Sequence, residues 1–415
     1  MIVRKFMQWA ASAPAAERAE GAGSLARAYL YAGLAPADKR EAEVALTALV
    51  DDPAPMVRKA ISEALASAPD APAAVVLALA NDQSEVAAPV LGGSPLLTDG
   101  DLIDCAAIGD AFAQAAIALR APLRAPVAAA LAEVGAREAL IALAVNADAD
   151  IPDFSLRRMV ERFGADGELR EAMLSRPALP PSVRSDLVAA AAAALKDFVV
   201  GCAWLSPERA ERVTRESCDK AHVVIAADAE SAQDWAGARE LAAHLRAAGR
   251  LTPGLVLRAL LSGNSCLFEA TLVELSGLPE AKVLPLARDW RGAGFAALYG
   301  RSGLPPKFLP AFRAALQAAR TCAHTIEPGA AKLSRAIIAR VLAVAADAPE
   351  LGALAALLRR LDVEAAREEA REAARYIFTP QVEAPVVVAI DQGEFGAAPR
   401  IIAIDLKAIE AELAA

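Results

Sequence analysis

Apolar residues recur along most of this chain with the spacing of one helical face. They fall at Ala42, Ala45, Leu46, Leu49 and Val50, and again at Val57, Ala60, Ile61, Ala64 and Leu65, the i, i+3, i+4, i+7 pattern of two amphipathic helices with one narrow stripe each. Asp51-Asp-Pro-Ala-Pro55 separates them. Proline has no N–H to donate and is tolerated only in a first turn, so Pro53 and Pro55 end one helix and open the next. A hairpin striped in this way buries one face of each helix only against a similar neighbour. The pattern therefore predicts an all-α chain of short helical hairpins stacked as an α-solenoid.

The hairpin returns in weaker form. Leu79 to Leu91 repeats it with one residue deleted, which places Asp82 30 positions after Asp52 and Val86 29 after Val57. Ala107 to Ile117 puts Asp110 28 further on, and a fourth echo turns at Asn146. Punctuation supports the count: Gly33 reads as a helix stop, Thr98-Asp-Gly-Asp101 has capping-box spacing, and Pro122, Pro126, Pro152, Pro180 and Pro181 read as helix starts. These signals make residues 1–195 an N-terminal array. Residues 196–235, with Trp204, Pro207 and Val223-Val-Ile225, are less regular and read as a junction.

A second helical block spans 236–378, where Thr252-Pro253, Leu278-Pro279 and Leu304-Pro-Pro306 open helices. Within it Glu364, Glu368 and Glu372 each precede Arg367, Arg371 and Arg375 by three residues, which predicts an exposed helix. From 379 the period changes to β-rich runs at 385–390 and 400–404, a small β-hairpin, followed by a last helix carrying Leu406, Ile409 and Leu413. A lone two-stranded hairpin is marginal in water, so residues 385–415 are expected to dock on the helical body or to form a homodimer.

Composition agrees with close-packed helices: 56% of residues are hydrophobic but only 5% aromatic. Apolar runs such as Leu187 to Leu195 have 9 residues, about half of the ~20 that a bilayer span needs. A net charge of −9 and a pI near 5.2 oppose binding to nucleic acid, which needs a basic face. The five cysteines contain no C-x-x-C pair and the three histidines no H-E-x-x-H, so neither a disulfide framework nor a metal site is predicted, and the cytoplasm is the expected location. Gly292-Ala-Gly294 imitates a dinucleotide fingerprint, but no strand precedes it, and a close helix approach is expected instead. Cys322 and His324 lie two apart on a helix and point to different sides. His222 and His244 read as ordinary helix residues. No cofactor and no catalytic residue is predicted.

The sequence Asp51-Asp-Pro-Ala-Pro55 followed by Val57-Arg-Lys59 resembles a HEAT-type repeat. Together with Ala87-Ala-Pro-Val-Leu-Gly-Gly-Ser-Pro-Leu-Leu-Thr-Asp-Gly-Asp-Leu102, it is similar to an uncharacterised family of alphaproteobacterial proteins bearing a domain of unknown function. The likeness extends through Leu267-Phe-Glu-Ala270, Leu275-Ser-Gly-Leu-Pro279 and Gly294 to Pro305, covering most of residues 20–320. It implies a cytoplasmic, HEAT-like helical protein and transfers no catalytic residue.

Two sets of side chains are candidates for contact. Trp290, Arg291, Phe295, Tyr299 and Arg301 gather scarce aromatics with arginines, the residue types that dominate binding hot spots. Arg157, Arg158 and Arg162, and Arg209, Arg212 and Arg215, form basic clusters able to receive an anion or to pair with Glu161, Glu208, Glu211 and Glu216. The expected function is a non-enzymatic adaptor or scaffold that binds a protein partner, with bacterial signalling as its setting. The alternative is a regulatory receptor holding an anionic small molecule such as a nucleotide between helices. A HEAT-like nucleic-acid enzyme is disfavoured by the acidic balance.

Overall fold

The computed structural model describes residues 2–177, 179–227, 235–322, 331–346, 352–378, 388–391 and 400–403. Among these residues the chain is overwhelmingly helical and divides into two compact units, Met1–Leu260 with Asn264–Leu309, and Leu261–Gly263 with Pro310–Ala415.

The first unit opens with α1 (Ile2–Ala10) and α2 (Ala15–Tyr31), after which the chain leaves through Gly33 at φ +57°. Ten short helices follow: α3 (Pro36–Leu49), α4 (Pro55–Leu65), α5 (Ala73–Ala80), α6 (Ser84–Gly93), α7 (Asp99–Ile108), α8 (Ala111–Ala118), α9 (Ala125–Val134), α10 (Arg137–Val145), α11 (Asp153–Phe163) and α12 (Gly167–Leu174). Most starts fall where the sequence places them. Pro55 opens α4, Thr98 and Asp101 close a reciprocal capping box on α7, and Asp110 accepts from the N–H groups of Phe112 and Ala113 at α8. Pro122 is different. Leu123 N–H donates to Asp148 O at 3.2 Å and Asp150 N–H donates to Leu123 O at 2.9 Å, a bridge that needs extended backbone. Helix α9 therefore begins only at Ala125, with Pro126 in its first turn.

Each of these helices buries side chains two at a time: Val75 and Val76 then Leu79 and Ala80 on α5, Val127 and Ala128 then Leu131 and Ala132 on α9, Leu140 then Leu143 and Ala144 on α10. A doubled stripe is wide enough to meet two neighbours. Helices accordingly pack on the next but one, α2 on α4, α4 on α6, α6 on α8, α8 on α10 and α10 on α12, while α7 packs on α9 and α9 on α11.

Charged and amide side chains stitch the even-numbered helices together. Arg18 of α2 holds Asp52, just ahead of α4, through two bonds of 2.8 and 2.9 Å, and Arg58 of α4 grips both oxygens of Asp82, just ahead of α6. Ser84, in the first turn of α6, helps hold the Asp110 carboxyl at the start of α8 below its usual range. On α8 the buried Gln114 takes over, donating to Ala106 O at 2.8 Å and accepting from Ala136 N–H at 2.7 Å. Arg137 of α10 continues to Asp166, the N-cap of α12, at 2.7 Å. The guanidinium partners hold the carboxyls of Asp52, Asp82 and Asp166 below the usual range.

The segment read as a junction, 196–235, is mostly helical where it is described. Helix α13 (Pro181–Gly201) runs through its start, and α14 (Pro207–Ala227) fills most of the rest, the two packing on each other. Pro207 sits in the first turn of α14, and burial of Val223 and Ile225 overrides their weak helix propensity. Then come α15 (Trp235–Ala247), α16 (Pro253–Leu261), α17 (Ser265–Ser276), α18 (Glu280–Arg288) and α19 (Ala293–Arg301). Thr252 caps α16, its hydroxyl accepting from Leu255 N–H at 3.1 Å. Pro306 opens a 3-10 turn, Pro306–Phe308, ahead of the next helix.

That helix, α20 (Leu309–Cys322), belongs almost wholly to the second unit, with α21 (Ala331–Ala346), α22 (Gly352–Phe378), β1 (Val388–Asp391) and β2 (Arg400–Ala403). Helices α21 and α22 pack together with Ile337, Val341 and Leu358 buried. The expected surface pairing exists at Glu368–Arg371, 3.3 Å, and Arg335 reaches Glu369 at 2.7 Å. Strands β1 and β2 pair antiparallel, Val388 opposite Ala403 and Ile390 opposite Ile401. The segment between them, the final helix and most of the 385–415 surface expected to dimerise lie outside the described residues. No helix among the described residues is long and apolar enough to cross a membrane.

The Arg58–Asp82 contact ties two successive hairpins while both side chains remain partly in solvent. Arg58→Ala is expected to lower unfolding free energy by about 1 to 2 kcal/mol. Urea unfolding of the two single variants with Asp82→Ala and of the double variant measures this, and the cycle should return a favourable coupling.

Candidate functional site

The 290–301 cluster divides into a packed part and an open part. Phe295 and Tyr299 are buried, their rings 6.2 Å apart, and Tyr299 Oη donates to Pro305 O at 2.9 Å. Burial pushes the Tyr299 phenol well above its ordinary pKa. Arg301 Nε donates to Ser276 O at 2.9 Å, satisfying a carbonyl at the end of α17. A Cβ at Gly294 would lie 2.7 Å from Leu286 Cδ2 of α18, a contact with a side chain and not the meeting of helix backbones expected for the glycine pair. These residues hold α17, α18 and α19 together. Trp290, half-buried, and Arg291, exposed with its guanidinium 4.7 Å from the indole centre, form the accessible remainder.

The basic clusters divide similarly. Arg158 bridges Glu133 at 2.7 Å and Glu161 at 3.2 Å, and Arg215 meets Glu211 at 3.3 Å. Arg162 turns inward and donates to Ala132 O and Gly135 O at the end of α9. Arg157, Arg209 and Arg212 are exposed on two different helices, with no carboxylate in ion-pair reach among the described residues.

Arg162 belongs to a recurrent device that sequence pattern does not reveal. Arg120 donates to Leu91 O and Ser94 O at the end of α6, Arg176 to Ala144 O, Asn146 O and Ala149 O beyond α10, and Asn146 to Ala118 O and Arg120 O beyond α8. The fork of a guanidinium suits several converging carbonyls at once. These side chains are structural.

Three large apolar side chains at the C-terminal ends of α8, α10 and α12 are left exposed. Leu119 directly after α8, Val145 ending α10 and Leu174 ending α12 each follow a buried pair, so they occupy equivalent positions on successive neighbours, and they are 60%, 64% and 57% exposed. Between α10 and α12 lies a groove of about 370 Å³ with Ile141, Ala144, Val145 and Ala172 along it and Glu168 and Glu171 at its rim. Separate helices supply the three residues, at equivalent positions.

A second unforeseen feature is a buried polar network across α13, α14 and α15. Ser185 Oγ lies 3.0 Å from His222 Nε2, Asp186 takes His244 Nε2 and Arg250 Nη2 at 2.9 Å each, and His222 Nδ1 has no partner among the described residues. His222 and Asp219 are both buried. Burial, then Arg250 and His244, push His222 down to about 4 against the opposing pull of Asp186. Burial pushes Asp219 up to about 6, with Arg258 and Arg215 opposing and Glu216 adding to the rise. His222 and His244 are thus parts of a network rather than ordinary helix residues. Ser185 and His222 are both buried. Among the described residues no group of histidine, cysteine and carboxylate side chains is arranged to hold a metal. His324 lies outside the described residues.

Residues 86–375 match a family described as an uncharacterised protein conserved in bacteria, DUF2336, and the chain belongs to that family. The match starts beyond the founding hairpin and runs past residue 320, so its span differs from that of the resemblance read in the sequence. No curated protein and no solved structure matches the chain.

Two outcomes are expected here. Arg301→Ala should cost about 1 kcal/mol by orphaning Ser276 O, whereas Arg291→Ala should leave thermal unfolding nearly unchanged; differential scanning calorimetry separates them. His222 and Asp219 contribute to the response to acid in opposite directions. As pH falls from 6.5 to about 4 the unfolded chain takes a proton that folded His222 refuses, so stability falls by about 1.4 kcal/mol per unit. From about 6 to 3.8 folded Asp219 takes a proton before the unfolded chain does, so stability rises as pH falls. The two oppose one another, and Asp219→Asn should lose stability more steeply than wild type between pH 6 and 4, as urea unfolding across that range would report.

Proposed function

We propose that this member of the DUF2336 family is a non-enzymatic adaptor, a HEAT-like α-solenoid that works in the cytoplasm and presents the outer face of α8, α10 and α12 to a protein partner. The observation that carries the reading is the row Leu119, Val145 and Leu174 beside the groove between α10 and α12. Exposed apolar patches bordered by polar residues mark interaction sites. The next-but-one packing of short helices and the ladder from Arg18 to Asp166 support the solenoid description, because each hairpin is completed by its neighbours. The Trp290–Arg291 corner is a smaller second contact. An anion receptor draws less support, since Arg158, Arg162 and Arg215 are engaged and Arg157, Arg209 and Arg212 stand apart on exposed faces.

Val145→Glu combined with Leu174→Glu introduces charge at exposed positions, so unfolding free energy should change by less than about 0.5 kcal/mol per site. Affinity capture from native lysate, quantified by mass spectrometry, should then lose a defined set of proteins that the wild-type chain retains. Identical captured sets would refute this face as the docking site.

A further inference from the structure

We propose that the outer half of the α13–α14 hairpin is a self-association surface whose occupant is the same half-hairpin of a second copy of this chain. The two helices have 21 residues each, against 8 to 14 in α3 to α12. At 1.5 Å per residue each is about 30 Å long, and the excess stands clear of the stack. From residue 188 to 218, Ala210 alone is buried, in the seam between the two helices.

The remainder of the outer half exposes Leu195, Phe198, Trp204 and Val213, with Trp204 68% exposed and its ring set edge-on to Phe198 at 5.5 Å. Aromatics make up only 5% of this chain, and two of them lie at one unsupported tip. Such a patch is costly in water unless something covers it.

Charge says what covers it. Residues 196–216 hold four basic side chains, Lys196, Arg209, Arg212 and Arg215, and four acidic ones, Asp197, Glu208, Glu211 and Glu216, in a chain whose net charge is −9. Lys196–Glu211 at 3.1 Å and Arg215–Glu211 are satisfied within the hairpin. Arg209 and Arg212 are left without a carboxylate, and Asp197 without a cation, among the described residues. A strongly acidic or basic partner would satisfy one sign and repel the other. An isologous contact brings each patch against its twin, so Arg209 and Arg212 of one copy face Asp197 of the other. Two hairpins joined in this way bury both Phe198–Trp204 tips in a four-helix arrangement. This surface is separate from the α8–α10–α12 face, so the adaptor reading and this one stand or fall independently.

Sedimentation velocity of the full chain at micromolar concentrations should give twice its 43.0 kDa mass. Phe198→Ser with Trp204→Ser should return it to the mass of one chain with the far-ultraviolet circular dichroism unchanged. Arg209→Glu with Arg212→Glu should also give a monomer, and mixing it with Asp197→Lys and Glu208→Lys should restore the doubled mass, which covers the case in which the aromatic variant fails to fold. A wild-type chain that is monomeric throughout this range, occupied in cells by some other protein, overturns the proposal. So does a dimer that persists in both tip variants.

Discussion

Short helices are expensive in unpaired backbone. A helix leaves its first four N–H and last four C=O groups without internal partners, so in α5, α8 or α12, with 8 residues each, every residue has at least one orphaned group. Helices of this length are not stable alone. The array persists because side chains supply the missing partners: from other helices, Arg120, Arg162 and Arg176 reach carbonyl ends and Gln114 one group of each kind, while Asp110 and Asp166 cap the N–H ends of their own helices. The arginine bonds and Gln114 to Ala136 reach across 22 or more residues and so fix register between hairpins, while Gln114 to Ala106 and the two aspartate caps act within 8 residues.

That requirement decides which charged residues are left for function. Arginines that look in the sequence like an anion site, Arg158 and Arg162, are spent on Glu133 and on the end of α9. Tyr299 and Arg301, which look like a hot spot, are spent on Pro305 O and Ser276 O. Among the exposed side chains that remain for a partner are large apolar ones, Leu119, Val145 and Leu174 at the ends of α8, α10 and α12 and Phe198 and Trp204 at the tip. The buried Ser185–His222 pair follows the same economy, a polar contact sealed inside packed helices where it specifies how α13 meets α14.

The amino-acid sequence by itself determined the helical character of the chain and the places where many helices begin. Local rules suffice for these: apolar spacing at Val57 and Ile61, proline at 55 and 126, Thr98 with Asp101, and Thr252 ahead of Pro253 act within a few residues of one another. The recurrence of aspartate at 52, 82 and 110 was likewise legible. Tertiary structure alone decided what those aspartates bind, because Arg18 and Arg58 lie 34 and 24 residues from their partners. It also decided that Pro122 joins a bridge instead of a helix and that Leu119, Val145 and Leu174 stay exposed. In each case the residues concerned are distant in sequence, and only the stacking of one hairpin on the next brings them together or leaves them exposed.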